Sequence, residues 1–144
     1  MEHAFLLKEG LWRSEGEFFD GAGKRVAVAG EVQFRHYPDK WVYEGALRTA
    51  SNPPVEHRTV YEIVPLAPGG YATAWTSKSA SLGTLRGRFI LVGDAILSNY
   101  ESATGRYRGQ DTILRRDDKH YSARGALLDG SRILSAWAVE LRQA

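Results

Sequence analysis

The stretch VAVAGEVQFRHY, Val26 to Tyr37, separates into two faces when every second residue is read. One face carries Val26, Val28, Gly30, Val32, Phe34 and His36, and the other Ala27, Ala29, Glu31, Gln33, Arg35 and Tyr37. Side chains alternate across an extended chain, so this period of two describes a β-strand enclosed on one side and wet on the other. The flanking segments repeat it. Trp12, Ser14, Gly16 and Phe18 oppose Arg13, Glu15 and Glu17, and Trp41, Tyr43, Gly45 and Leu47 alternate with Val42, Glu44, Ala46 and Arg48.

Working outward, the turns are regularly spaced. Signals fall at Asp20-Gly21-Ala22-Gly23, Pro38-Asp39-Lys40, Asn52-Pro53-Pro54, Pro68-Gly69-Gly70, Ala103-Thr104-Gly105, Asp117-Asp118-Lys119 and Asp129-Gly130. Glycine supplies positive φ, and Pro and Asp favour turn starts, so these clusters read as hairpin connections. Further strands are predicted at 57–67, 71–77, 84–93, 95–102, 106–116, 119–128 and 131–142. The last is ambiguous, because Ile133, Trp137 and Leu141 also fit one face of a helix; alternation through Ser135 and Val139 favours a strand. Sequential strands in a flat sheet would leave exposed edges, and closure removes them. The fold expected is all-β: one antiparallel up-and-down β-barrel of about 8–10 strands, filling 1–144 with residues 1–9 as an N-terminal arm.

Composition narrows the function classes. A chain of 144 residues is one domain in size and needs no covalent staple. It has no cysteine, which removes disulfides and thiolate metal sites. The net charge of +2 comes from 19 basic and 17 acidic residues, and the close arginine pairs do not form the concentrated patch of a nucleic-acid binder. No stretch has the length of a membrane span or of a secretory leader, so a cytoplasmic location is expected.

The inferred inner face mixes rings with small residues. Trp12, Phe18, Phe34, Trp41, Tyr43, Tyr61, Trp75, Phe89, Tyr107, Tyr121 and Trp137 share it with Ser14, Gly16, Gly30, Gly45, Gly87, Gly109, Ala123 and Gly125. Rings beside gaps, with several hydroxyls, describe a cavity that takes a small apolar or amphipathic molecule. Its candidate lining is Tyr43, Tyr61, Trp75, Tyr107 and Tyr121, with His36 near the mouth. A filled core in which glycines only let the strands bend is the alternative.

Catalytic and metal signatures are absent from the pattern. There is no GxSxG elbow, P-loop or GxGxxG, and no pair of histidines has metal-ligand spacing, so no metal and no cofactor is expected. His3 reads as part of a mobile terminus, and His120 as facing outward. A lone histidine can hold haem, which keeps His36, His57 and His120 as haem candidates. Asp111 lies in phase with Tyr107, Gly109 and Ile113. It is either an enclosed acid capable of binding or proton transfer, or a carboxylate paired with an arginine or turned to solvent. The reading leans to a binding protein over an enzyme of the isomerase or cyclase type. Outward aromatics such as Phe19 and Tyr37 leave a homodimer open.

Gly10-Leu11-Trp12, opening the first strand of such a chain, resembles the G-x-W signature of the calycins, the superfamily of lipocalins and fatty-acid-binding proteins. The resemblance implies an up-and-down barrel for small ligands, with Trp12 at its closed end covered by a basic side chain, Arg142 or Arg124. The departures are specific. The disulfides and leader of secreted lipocalins are missing. Only Gly21-Ala22-Gly23 stands where fatty-acid-binding proteins carry a helical lid. Their carboxylate-binding Arg-x-Tyr is absent from the last strands, although Arg35-His36-Tyr37 has its form elsewhere. The resemblance therefore implies a lidless, bacterial branch. The haem-binding nitrobindin-like branch is similar in size, but its Trp/Gly/His set is not found.

Overall fold

The computed structural model describes residues 3–144. Ten strands follow one another: β1 Gly10–Asp20, β2 Arg25–His36, β3 Trp41–Thr49, β4 Glu56–Ile63, β5 Ala72–Ser79, β6 Gly83–Val92, β7 Ala95–Ser102, β8 Tyr107–Asp117, β9 His120–Asp129 and β10 Arg132–Gln143. Each pairs antiparallel with its chain neighbour, and β10 returns to β1, which closes the sheet into a calycin-like barrel. No helix is long and apolar enough to cross a membrane among the described residues.

The inside follows the alternation. Trp12, Val28, Val32, Phe34, Ile63, Trp75, Phe89, Ile96, Ile113, Tyr121, Val139 and Leu141 are buried in one apolar cluster. The Glu31–Arg48 and Lys40–Glu62 ion pairs lie outside. Residues 132–143 are a strand. A register shift between Ile133 and Ser135 changes the phase there, so Ile133 is 51% exposed rather than inward with Trp137.

Up-and-down order assigns every connection to one of two ends. The β1–β2, β3–β4, β5–β6, β7–β8 and β9–β10 turns ring the mouth, and the other connections ring the opposite end. The β1–β2 connection is a tight turn in which Gly23 N–H donates to the Asp20 carbonyl, leaving no room for a lid.

The N-terminal segment stoppers the end opposite the mouth. Phe5 and Leu6 are buried, and the Phe5 ring packs edge-on against Trp12 and Phe34 and tilted against Tyr121. Leu6 takes φ 77°, and its carbonyl accepts a 2.9 Å hydrogen bond from His36 Nε2 that holds this turn. His3 is not a loose end. It is buried, its Nε2–H donates to the Gly93 carbonyl at 2.9 Å, and its Nδ1 therefore accepts from the Tyr121 hydroxyl at 2.8 Å.

Trp12 thus lies at the closed end, but its cover is Phe5 and Tyr121. Arg124 and Arg142 are on the outer face. Arg124 pairs with Glu140, and Arg142 sits opposite Arg13 and His120. The basic side chain on the inner register at this end is Arg115, paired across the sheet with Tyr121.

Candidate functional site

Between the stopper and the mouth the barrel encloses a cavity of about 200 Å³. An apolar cavity of roughly 150 Å³ accepts benzene, and pockets for drug-sized ligands start near 300 Å³. The space suits a molecule of one or two rings.

Its walls are built by exchange between neighbouring strands. Trp75, Gly87, Tyr100 and Gly109 stand in one register row across β5 to β8. A Cβ at Gly87 would meet the Trp75 ring at 2.5 Å, and one at Gly109 would meet the Tyr100 ring at 2.1 Å. Each glycine gap is therefore occupied by the ring beside it. The glycines let large rings lie flat on the wall, and the cavity is what remains inside that lining.

The rings make a continuous surface. Tyr43 stacks on Tyr61 at 4.7 Å and Tyr61 on Trp75 at 4.0 Å between centroids. Phe18 packs edge-on against Trp137 and against His57, which brings His57 to the mouth. The Trp75 indole N–H donates to Ser98 Oγ at 3.3 Å.

Asp111 faces this space from β8. The Trp137 indole N–H donates to its Oδ1. No arginine or lysine lines the cavity among the described residues. Burial pushes the Asp111 carboxyl up to about 7, with the Trp137 hydrogen bond opposing only in part. Tyr43, Tyr61 and Tyr100 are raised well above the usual phenol range, first by burial and then by nearby negative charge, from Asp111 at Tyr43 and Tyr100 and from Tyr43 ahead of Asp111 at Tyr61, and so remain neutral donors and acceptors. No described residue bonds their hydroxyls. Ser14 is 4% exposed and lines the same cavity, and its Oγ has no partner among the described residues.

The residues singled out from the sequence divide. Tyr43, Tyr61 and Asp111 line the cavity, and Asp111 takes the enclosed alternative, with an indole rather than an arginine as its partner. Trp75 lies behind Tyr61 as a buried wall residue. Tyr121 belongs to the stopper, bonded by His3. Tyr107 lies by the mouth beneath the Arg106 guanidinium, 4.9 Å away, off the lining. His36 stands at the end opposite the mouth, stacked on Trp41 at 4.0 Å and bonded to Leu6. His120 is on the outer face with Glu140, as its alternation implied.

Tyr100 and Phe5 were not in the expected lining. Tyr100 shares phase with Ile96 and Ser98 along β7, which an alternation reading of that strand would reveal. Phe5 precedes the first strand, where no periodicity exists to find it.

Haem does not fit. Its macrocycle is larger than a drug-sized ligand, and of His36, His57 and His120 only His57 touches the cavity. Among the described residues no group of three from His, Asp and Glu is placed to hold a metal ion.

Comparison with known proteins yields a fold likeness. The chain is similar to the structure of an S-type phycobiliprotein lyase from Guillardia theta, at TM-score 0.65 and 10% identity, covering 95% of this chain and 88% of that one. A de novo designed fluorescence-activating β-barrel also aligns, at TM-score 0.47 and 17% identity over 100% of both chains. No family model and no curated protein sequence matches.

Proposed function

We propose that this barrel binds a compact small molecule inside its cavity. One observation carries the reading: a space of about 200 Å³ lined by stacked aromatic rings and supplied with a few unspent polar groups, Asp111, Ser14 and the hydroxyls of Tyr43, Tyr61 and Tyr100. That combination of an apolar lining with sparse, placed polar atoms is what small-molecule sites share. The likeness to the lyase supports the architecture alone, and at 10% identity its activity is not carried over.

Native mass spectrometry of the purified protein, with organic extraction of what it carries, tests the reading. Ala123 lines the cavity, so Ala123→Phe fills it. A small adduct on the wild type and its loss in a folded Ala123→Phe variant are expected. Failure of any compact aromatic probe to enter the wild-type barrel would overturn binding.

A second reading, a cofactor-free isomerase or cyclase, is favoured by the Asp111 carboxyl itself. An acid poised near neutrality and open to a cavity can take and return a proton. Asp111→Asn would then abolish turnover and leave occupancy intact.

A further inference from the structure

The interior holds an acid with no cation to balance its charged form. Asp111 projects a carboxylate into the cavity, and neither lysine nor arginine joins it among the lining residues. Glu31, also touched by the cavity, spends its carboxylate on Arg48 outside the barrel, at 2.6 and 3.0 Å. Arg115, the inner-face cation on the same strand, lies at the register of Tyr121 in the stoppered end. A buried charge without a partner is costly and invites one.

The hydrogen bonds are also incomplete. Trp137 donates to Asp111 Oδ1, and no described residue donates to the second oxygen. A carboxylate accepts about four hydrogen bonds. The rings of Tyr43 and Trp137 line the same space, and the negative face of an aromatic ring attracts cations; Tyr61, stacked between Tyr43 and Trp75, offers its edge and hydroxyl. Acceptor oxygens of Tyr100 and Ser14 complete the interior.

Resting on the cavity-binding reading above, we infer that the occupant is a small organic cation, a protonated primary or secondary amine on a compact ring. Its ammonium N–H bonds donate to Asp111, and its body lies against Tyr43 and Trp137. Such a ligand restores charge balance, supplies the missing donor and uses the rings twice, as apolar surface and as cation acceptors. An anionic ligand would meet Asp111 with no compensating cation.

The test compares three probes of one shape on the full chain, followed by calorimetry at pH 8: 2-phenylethylamine, 2-phenylethanol and phenylacetate. The amine is expected to bind at least about tenfold tighter than the alcohol, and phenylacetate weakest. Acidifying to pH 6 protonates Asp111 and weakens the amine about tenfold, with the alcohol unchanged. The ionisable groups facing Asp111 are Tyr43, Tyr61 and Tyr100, which stay neutral, and His57 at the mouth; His57→Gln is expected to keep the pH dependence. Asp111→Asn should erase the amine's advantage and retain the alcohol.

Equal or tighter binding of the alcohol or phenylacetate would overturn the charge assignment and leave the cavity reading standing. So would an amine preference that survives Asp111→Asn. If none of the three probes and no toluene binds, both fall.

Discussion

Trp137 and Asp111 meet over the backbone of Gly125. The three residues share one register row across β8, β9 and β10, and the indole N–H reaches the carboxylate because nothing projects from the strand between them. A methyl group at Gly125 would stand 2.4 Å from Asp111 Oδ1 and 2.6 Å from the indole. The polar centre of the cavity therefore depends on a missing side chain.

That centre makes stability depend on pH in an unusual direction. The Asp111 carboxyl is raised from 3.8 to about 7 in the folded chain, so between those values the native state holds a proton that the unfolded state releases. The stability contribution is full below 3.8 and declines as pH rises toward 7. Asp111→Asn keeps an acceptor for Trp137 and removes the charge. Urea melts should show the variant gaining on wild type from pH 5 to pH 8, by up to about 2.6 kcal/mol if the whole shift is realised. A difference constant across that range would refute the buried charge.

The Gly109–Tyr100 contact predicts a coupled pair. Gly109→Ala drives its methyl into the Tyr100 ring, and overpacking of this kind costs about 1–3 kcal/mol. In a Tyr100→Ala background the same change should cost little. A double-mutant cycle by thermal melting reads the difference, and additive effects would mean that the ring does not rest there.

These glycines explain which parts of the barrel were legible in the sequence. Period two marks inward residues, so the strands, the missing lid and the inward Asp111 and Tyr43 follow from it. It does not say which neighbour fills a gap. Gly87, Gly109 and Gly125 look like empty space along their own strands and are full once the adjacent strand is in register. The N-terminal stopper is invisible for another reason: Phe5, Leu6 and His3 act through a turn held by His36 and Gly93, and no local pattern encodes contacts across 30 or 90 residues. Ile133 misled because a bulge shifts phase without a sequence signature.

Removing the stopper should weaken the closed end more than its length suggests. Phe5→Ala vacates the space among Trp12, Phe34 and Tyr121 and is expected to cost about 3–5 kcal/mol. His3→Ala leaves the Tyr121 hydroxyl and Gly93 carbonyl without their partner, for about 1–3 kcal/mol. Chemical denaturation of both variants checks this. If both melt like wild type, the segment is not part of the cooperative core.

On the outer face Glu140 works in the opposite sense to Asp111. Partial burial raises its carboxyl, but hydrogen bonds from Ser122, His120 and Arg124 outweigh that and hold it at about 2. A depressed carboxyl stabilises the fold above its unfolded value of 4.5, and the gain is lost as pH falls toward 2. Glu140→Gln should therefore destabilise by about 1–3 kcal/mol at pH 7 and by almost nothing near pH 2. The pH series of melts for this variant alone decides it.

The seam between β4 and β5 is the weak line of the wall. Its ladder holds only the pairs Glu62–Thr76 and Ile63–Trp75, extended by the Val64 N–H to Ala74 carbonyl bond of 2.9 Å. The β3–β4 ladder runs from Trp41–Ile63 to Arg48–Glu56, so Glu56 to Tyr61 are bonded on one side only. Alternate amides of an antiparallel strand point to opposite neighbours, and those of β4 that point to β5 find no ladder toward the mouth. Hydrogen exchange read by mass spectrometry should show residues 56–61 and 77–79 exchanging well ahead of β9 and β10, whose ladder is continuous apart from one shift. A ligand that bridges Tyr61 to the far wall should slow the β4 peptides first, because Tyr61 stacks on Trp75 across this seam. Uniform protection around the barrel would mean that the seam is closed in solution and that a ligand enters only past Phe18 and His57.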